Sequence, residues 1–443
     1  MKSGEQIKAV ASRDFWRKLF RPETVFLLGT CQALLPYVIW RIRGPNEAYF
    51  YDISYIPCVI YIIGYFAFVL GAWLVGRKLR QPERGCPLSY DLLRTFLICL
   101  IGLGGVELFL AMKTYGGLPL LNYLEGNIDV WEINARQSQA PFGQLGLLTL
   151  TVFILTGIML IVVVHPNVPS LFSKLLFITY LGLSWLITSM AGKRQGFLMC
   201  LFFLLAGVSI RIGNPMRRLL RFVGVADALA RTRMAGLLTA LCGSLLVLTY
   251  VATLGALRTG VGKFGIGIHG ITQYMEVPLI NFEHQCDLVG FGPYTFSVKE
   301  LFEGFLPYRT SEALGLGELR EAILFPEPTA SAGLYGPLHL YTGLGGCILF
   351  ALLLGGMCKF VYVKARTNDL CLLIYSQCAW PLFVTHSFNL FLILLYVPAP
   401  VVAFTCLYGF ARVMQRRVRS NEGVRSGRPR LIAARVEPFE RVR

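Results

Sequence analysis

Charge is scarce in this chain. Asp, Glu, Lys and Arg together make up 15% of its 443 residues, against 55% apolar residues, and the mean hydropathy is +0.58. An ordinary soluble domain is about one quarter charged, so this composition excludes one and points to a polytopic membrane protein. Acids are scarcer than bases, 25 against 42, which leaves a net charge of +17. On a soluble chain that excess would suggest nucleic acid. Here the bases gather in alternate loops between apolar runs, as the positive-inside rule requires, and no nucleic-acid partner is expected. The 12 cysteines include no C-x-x-C pair and no Cys/His ligand spacing. Most, such as Cys58, Cys99, Cys200, Cys242 and Cys371, lie inside apolar runs as small hydrophobes, so neither a metal site nor a disulfide framework is expected. The first twenty residues carry Lys2, Lys8, Arg13, Arg17 and Lys18 with no apolar core ahead of a small-residue cleavage site. A cleavable signal peptide is therefore not expected. No internal repeat is evident.

What the chain does have is long apolar runs. They predict about ten transmembrane helices: Thr24–Trp40, Tyr55–Gly76, Thr95–Met112, Leu145–Val164, Phe172–Met190, Phe197–Ile210, Ala235–Leu257, Leu334–Val361, Leu370–Thr385 and Leu390–Arg412. In the last pair the turn falls either near His386 or at Pro398 and Pro400. This gives an all-α polytopic architecture with a basic N-tail (1–23), helices one to seven (24–257), a long outer segment (258–333), helices eight to ten (334–412) and a basic C-tail (413–443). One set of loops holds the N-tail, Arg77 to Arg84, Arg211 to Arg233, Lys359 to Arg366 and the arginine-rich C-tail, and is read as cytoplasmic. The other set, which includes the acid-rich 258–333 segment, faces outward.

The stretch Ala191-Gly192-Lys193-Arg194-Gln195-Gly196 interrupts an apolar run from Leu175 to Ile210 that is too long for one crossing and suits two. A cation at the centre of a lipid-embedded helix costs on the order of 2.5 to 3.5 kcal/mol, so Lys193 and Arg194 are expected at a turn. Topology sets that turn on the outward face, where cations are disfavoured. The pair either anchors a hairpin at headgroups by snorkelling or binds an anion.

Other outward residues fit such a site. Arg136 follows a helix-breaking Gly116-Gly117-Leu118-Pro119 turn, and Glu107 is a carboxylate inside the third apolar run. The long segment opens with Arg258, Lys263 and His269 among glycines at 260, 262, 265, 267 and 270, a spacing that fits no nucleotide fingerprint. Backbone amides and two cations there suit a lipid diphosphate. Tyr274 to His284, with Glu276 and Glu283, reads as an amphipathic piece on the outer surface, as does Ser311 to Leu324. Tyr274, Phe282, Tyr294 and Tyr308 either anchor at the membrane interface or stack on sugar faces.

Four stretches taken together resemble the oligosaccharide repeat-unit polymerases of the O-antigen polymerase (Wzy) type. They are Gly116 to Leu120 followed by Arg136, the Ala191 to Gly196 turn, Tyr274 to Glu283, and Thr329 to Gly346. The likeness runs from about residue 95 to 412 and rests on the order and loop placement of the motifs. It implies a GT-C-like membrane glycosyltransferase in the bacterial inner membrane, with both termini cytoplasmic and one long periplasmic segment. Such enzymes join undecaprenyl-diphosphate-linked oligosaccharides at the periplasmic face without metal or cofactor. Their partners are the lipid-linked oligosaccharide, membrane lipid and a protein that regulates chain length. Outer-loop arginines are the family's functional residues, and Arg194 and Arg136 match best. Tyr341-Thr342-Gly343 departs from the pattern, standing where an aspartate and an aromatic residue are expected.

The chemistry explains the arginines, because diphosphate departure leaves negative charge that a planar, always protonated guanidinium binds with two hydrogen bonds. Arg194, Arg136 and Arg258 are the expected clamp, supported by Lys193 and Lys263. Glu276, Glu283, His269 and His284 are the candidate bases. Two other functions compete: an O-antigen ligase acting on lipid A core, and a flippase or transporter of lipid-linked oligosaccharide.

Overall fold

In a lipid interior every backbone N–H and C=O must be satisfied within the chain, which leaves helices as the economical solution for apolar runs of this length. The computed structural model describes residues 14–43, 54–77, 79, 88–114, 144–165, 171–190, 194–215, 218–219, 278–287, 289–293, 333–385, 391 and 396–425. Among these residues the chain is all-helical and contains no strand. The helices are α1 (Pro22–Arg43), α2 (Ile56–Gly76), α3 (Tyr90–Thr114), α4 (Gln144–Val164), α5 (Leu171–Met190), α6 (Arg194–Arg211), α7 (Gly336–Ala365), α8 (Asp369–Phe383) and α9 (Pro398–Arg425). Five are long and apolar enough to cross a membrane: α1, α2, α3, α4 and α7. α5 and α6 hold shorter apolar stretches, Leu171–Ile187 and Gly196–Arg211. The chain is a polytopic, membrane-embedded protein.

Local sequence sets the helix ends. Prolines occupy the first turns of α2, α7 and α9, where a missing N–H costs nothing. The Asn368 side chain caps α8 by accepting a hydrogen bond from the Cys371 N–H at 3.2 Å. The last helix starts at the prolines, the second of the two positions the sequence left open for the turn. It opens on Pro398, with Pro400 at its third position, and runs on to Arg425, because proline at a helix start is permitted rather than disruptive.

Contacts between helix ends sort them into two sets. At one end, here called the base, Arg211 closes α6 and pairs with Asp369 at the start of α8 at 2.8 Å. Lys359 of α7 pairs with Glu23 of α1. Tyr90 at the start of α3 bonds Ser173 of α5 at 2.7 Å, and Arg218 donates to the carbonyls of Val163, in the last turn of α4, and His165, just beyond it. The Arg17 guanidinium reaches the Arg211 carbonyl, and Tyr362 and Tyr375 donate to the carbonyls of Arg17 and Phe20. Every loop read as cytoplasmic that reaches the described residues meets at this base.

α2 and α7 run parallel and form the most extensive helix pair. A Cβ at Gly71 would collide with the Leu352 carbonyl and one at Gly355 with the Phe68 carbonyl, so the two backbones touch. Small residues permit this approach, as is usual between membrane helices. α7 is not continuous. Gly343 has φ 65° and ψ −170°, a conformation essentially reserved for glycine, and divides the helix into a short leading half and a long trailing half. A turn at 289–293 fills the break: the Leu344 N–H donates to the Phe291 carbonyl at 3.2 Å, and Pro293 lies against Gly343. The predicted span Ala235–Leu257 lies outside the described residues, between Leu219 near the base and Pro278 at the opposite end.

Candidate functional site

The end opposite the base holds a buried polar cluster. Its centre is the helical stretch 278–287, which is buried on all sides up to Cys286, apart from a half-buried His284. This corrects the expectation of an amphipathic piece on the outer surface. Along it Asn281 and Gln285 share one face, Phe282 and Cys286 a second, and Leu279 and Glu283 a third, as the helical period dictates. All three faces meet protein, so the polar ones are enclosed as firmly as the apolar one. Phe282 is wedged between Tyr61 of α2 and His339 of α7, ring to ring at 5.9 Å and 5.8 Å and nearly perpendicular to both. Its faces are therefore taken, and it does not serve as a sugar-stacking surface in this arrangement.

Around this wedge lie further polar groups. Tyr61 packs on Tyr335 at 5.2 Å and donates its hydroxyl to the Thr385 carbonyl at 3.2 Å. The same carbonyl accepts the Leu334 N–H at 2.7 Å, so the start of α7 and the end of α8 are stitched together. The Cys347 thiol meets the Tyr335 carbonyl. Burial, and after it the Glu283 carboxylate, push the Cys286 thiol well above the usual range. His339 is fully buried, and neither ring nitrogen makes a hydrogen bond of ordinary geometry, although the Gly290 backbone lies close enough to act on the ring. The Tyr335 hydroxyl and the Thr385 hydroxyl are likewise buried and, among the described residues, without a hydrogen-bond partner. Enclosed polar groups normally find partners, so such a concentration marks a place where stability has been given up.

Arg194 is the first residue of α6, which fixes its backbone at a helix N-terminus, where the partial positive charge of the helix adds to any cation. α6 and α8 pack together and are tied at the base by Arg211 and Asp369. At 1.5 Å per residue the start of α6 lies roughly 25 Å from Arg211, and Phe202, midway along, meets the rings of Trp380 and Phe383 at 5.5 Å and 5.1 Å, so Arg194 lies farther from the base than Phe383, at the same end of the bundle as the cluster. α5 ends at Met190 and α6 starts at Arg194, so the break between the two helices falls where the hydropathy required.

Glu107 stands apart. Its carboxylate accepts a hydrogen bond from Thr151 of α4, and α3 packs on α4 and α5 rather than on the α2 and α7 walls of the cluster. That partner is a threonine of the neighbouring helix. Glu283 is buried within the cluster and His284 borders it. Lys193, Arg136, Arg258, Lys263, His269, Tyr274 and Glu276 lie outside the described residues, as does the 311–324 stretch.

Sequence reasoning passed over His339, Asn281, Gln285 and Tyr335. His339 did leave a signal, because a histidine within the opening turns of the eighth apolar run is an intramembrane ionisable residue and a functional candidate for that reason alone. Asn281 and Gln285 left none, since amides in a loop segment are unremarkable until that segment is found buried. No protein-family model matches the chain, and neither a curated protein nor a solved structure matches it.

Proposed function

We propose that the chain is a membrane glycosyltransferase that joins undecaprenyl-diphosphate-linked oligosaccharide repeat units. In this reading it is a ten-span, GT-C-like enzyme of the bacterial inner membrane with both termini in the cytoplasm, acting on the periplasmic side. The observation that carries the proposal is that the Arg194 helix start and the buried cluster of Glu283, Asn281, Gln285 and His339 lie at the same end of the bundle, opposite the base. An anion-favouring element and proton-accepting side chains then stand at one end of the bundle. In the reaction the acceptor hydroxyl attacks the anomeric carbon, the bond from that carbon to the diphosphate oxygen breaks, and the hydroxyl proton is lost. Arg194, with Arg136 and Arg258, neutralises the departing diphosphate, and a carboxylate or imidazole takes the proton. Glu283, His284 and His339 are described groups of the cluster and its border able to do so.

Purified protein given short lipid-linked repeat units should yield longer lipid-linked products. Arg194→Ala should abolish them while the protein still inserts, and Arg194→Lys should largely fail because the two-pronged geometry is lost. A normal product ladder from well-expressed Arg194→Ala would remove arginine from the mechanism. Products formed only when a lipid A core acceptor is supplied would make the protein a ligase instead. The break in α7 favours a second reading, since interrupted helices at a buried polar site are a transporter device. Movement of lipid-linked glycan across proteoliposomes without any new glycosidic bond would establish that reading.

A further inference from the structure

His339 and Glu283 are enclosed, at 0% and 1% exposure, so no substrate reaches them in the closed arrangement. Some part of the wall must move, and its parts are not equally fixed. α2 and α7 touch backbone to backbone, Tyr61 is tied to the end of α8, and Phe282 is wedged between two rings. The 289–293 turn is different. Its Gly290 backbone lies against the His339 ring, while Gly290, Phe291, Gly292 and Pro293 are all exposed. Among the described residues one backbone hydrogen bond, from the Leu344 N–H to the Phe291 carbonyl at 3.2 Å, ties the turn to α7. Val289 packs on Leu340 and Tyr341, a small satellite set apart from the main core. At its root the Gly290 N–H donates to the Cys286 carbonyl at 2.7 Å, and Gly290, at φ 61°, ends the buried helix in the manner of a C-cap glycine. Little buried apolar contact and a single long hydrogen bond are the marks of a segment that opens locally.

Depth permits the motion. At 1.5 Å per residue Gly343 lies roughly 33 Å along α7 from Ala365, more than the roughly 30 Å of a hydrocarbon core. With the base at one membrane surface, the break in α7 stands at the other. Water there can take the Leu344 N–H once the turn lifts, whereas deeper in lipid that donor would have to stay bonded. We propose that the 289–293 turn is a lid over His339, pivoting at Gly290, and that the polar sugar end of the lipid-linked substrate enters the cluster beneath it. Lifting the turn uncovers the side of the His339 ring turned toward Gly290 and frees the Leu344 N–H. Closure over bound substrate shields the transfer from water. The entry of substrate rests on the reading of the chain as a glycosyltransferase; the lid itself does not.

Diethyl pyrocarbonate acylates an imidazole whose ring nitrogen it can reach. Its rate at His339, followed by peptide mass spectrometry on the full chain in lipid nanodiscs, therefore reports the open fraction. In the parent His339 should lag the half-buried His284, and equal rates would mean that nothing closes over it. Val289→Ala, which removes much of the packing under the turn, should speed His339 about fivefold with His284 unchanged. Leu349→Ala, a truncation on the exposed shaft of α7, should leave the parent rate. An unchanged rate in Val289→Ala, or an equal rise in Leu349→Ala, overturns the lid. Leu340→Ala loosens the same contact from the α7 side and carries the test if Val289→Ala does not fold. Short lipid-linked repeat units should slow His339 acylation in parent and variant alike; no protection while elongated products form removes the turn as the substrate's entry. Lid-dependent rates with neither protection nor products keep the lid and refute the transfer reading.

Discussion

A neutral imidazole always presents one donor and one acceptor, and His339 encloses both without a hydrogen bond of ordinary geometry. Leaving such groups unmatched costs about 1 to 3 kcal/mol, while an apolar replacement of similar shape carries no such cost. His339→Leu should therefore raise the apparent melting temperature in detergent and, if the cluster is the working site, abolish activity. A leucine variant that is both less stable and fully active would show that the histidine has only a packing role. Gly64 gives the opposite case. A Cβ there would strike the Tyr335 hydroxyl, which is held in place by the ring of Tyr61. Gly64→Ala should cost roughly 1 to 3 kcal/mol as overpacking. Gly105→Ala, in open space on α3, should be neutral or stabilise by up to about 1 kcal/mol through helix propensity. The two melting curves, run side by side, separate packing from propensity. Neither effect was legible in the sequence, where Gly64 and Gly105 are equivalent glycines in apolar runs.

Helix positions were the most legible part of the chain, because the length of an apolar run and the cost of a charge inside it are local properties. Thus α5 ends at Met190 and α6 begins at Arg194, breaking the apolar run where the charges of Lys193 and Arg194 demanded. What the sequence concealed is non-local. The 278–287 stretch alternates polar and apolar residues like a surface helix, and only the walls supplied by α2 and α7 make it a buried one. The break in α7 was hidden similarly, since Gly343, Gly345 and Gly346 look alike until the 289–293 turn is seen filling the gap beside the first of them. That difference is testable. Gly343→Ala would place a Cβ at φ 65°, 3.1 Å from Pro293, whereas Gly345→Ala meets nothing within 4 Å. The first should lose on the order of 2 to 3 kcal/mol together with function, and the second should behave like the parent. Equal tolerance in melting and activity measurements would mean that the helix straightens without consequence.

At the scale of the whole molecule the base acts as the clamp that holds helices of opposite direction together. His165 lies within it, its ring 5.0 Å from that of Tyr90, bonded to the Leu88 backbone and near both Asp369 and Arg218. Burial holds its imidazole below the ordinary histidine range, the Leu88 hydrogen bond and Asp369 pull it upward, and Arg218 adds to the lowering. A histidine whose folded pKa is depressed is neutral in both states at high pH, so it takes nothing from stability there. As pH falls through the unfolded value of about 6.5, the unfolded chain binds the proton first and folding weakens. Thermal stability should therefore be flat from pH 8 to 7 and decline as pH falls below about 6.5. His165→Gln keeps a donor for the Leu88 carbonyl but cannot ionise, so it should flatten part of that decline without lowering the plateau. Breaking the neighbouring clamp by Asp369→Asn should behave differently. It should lower the plateau itself, by an amount between the ~1 kcal/mol of a surface pair and the 3 to 5 kcal/mol of a fully buried one, since Asp369 is buried and Arg211 only partly so. Melting curves of the parent and both variants across this pH range distinguish a titrating group from a fixed ion pair. Parallel pH slopes in the parent and His165→Gln would assign the acid sensitivity to other groups.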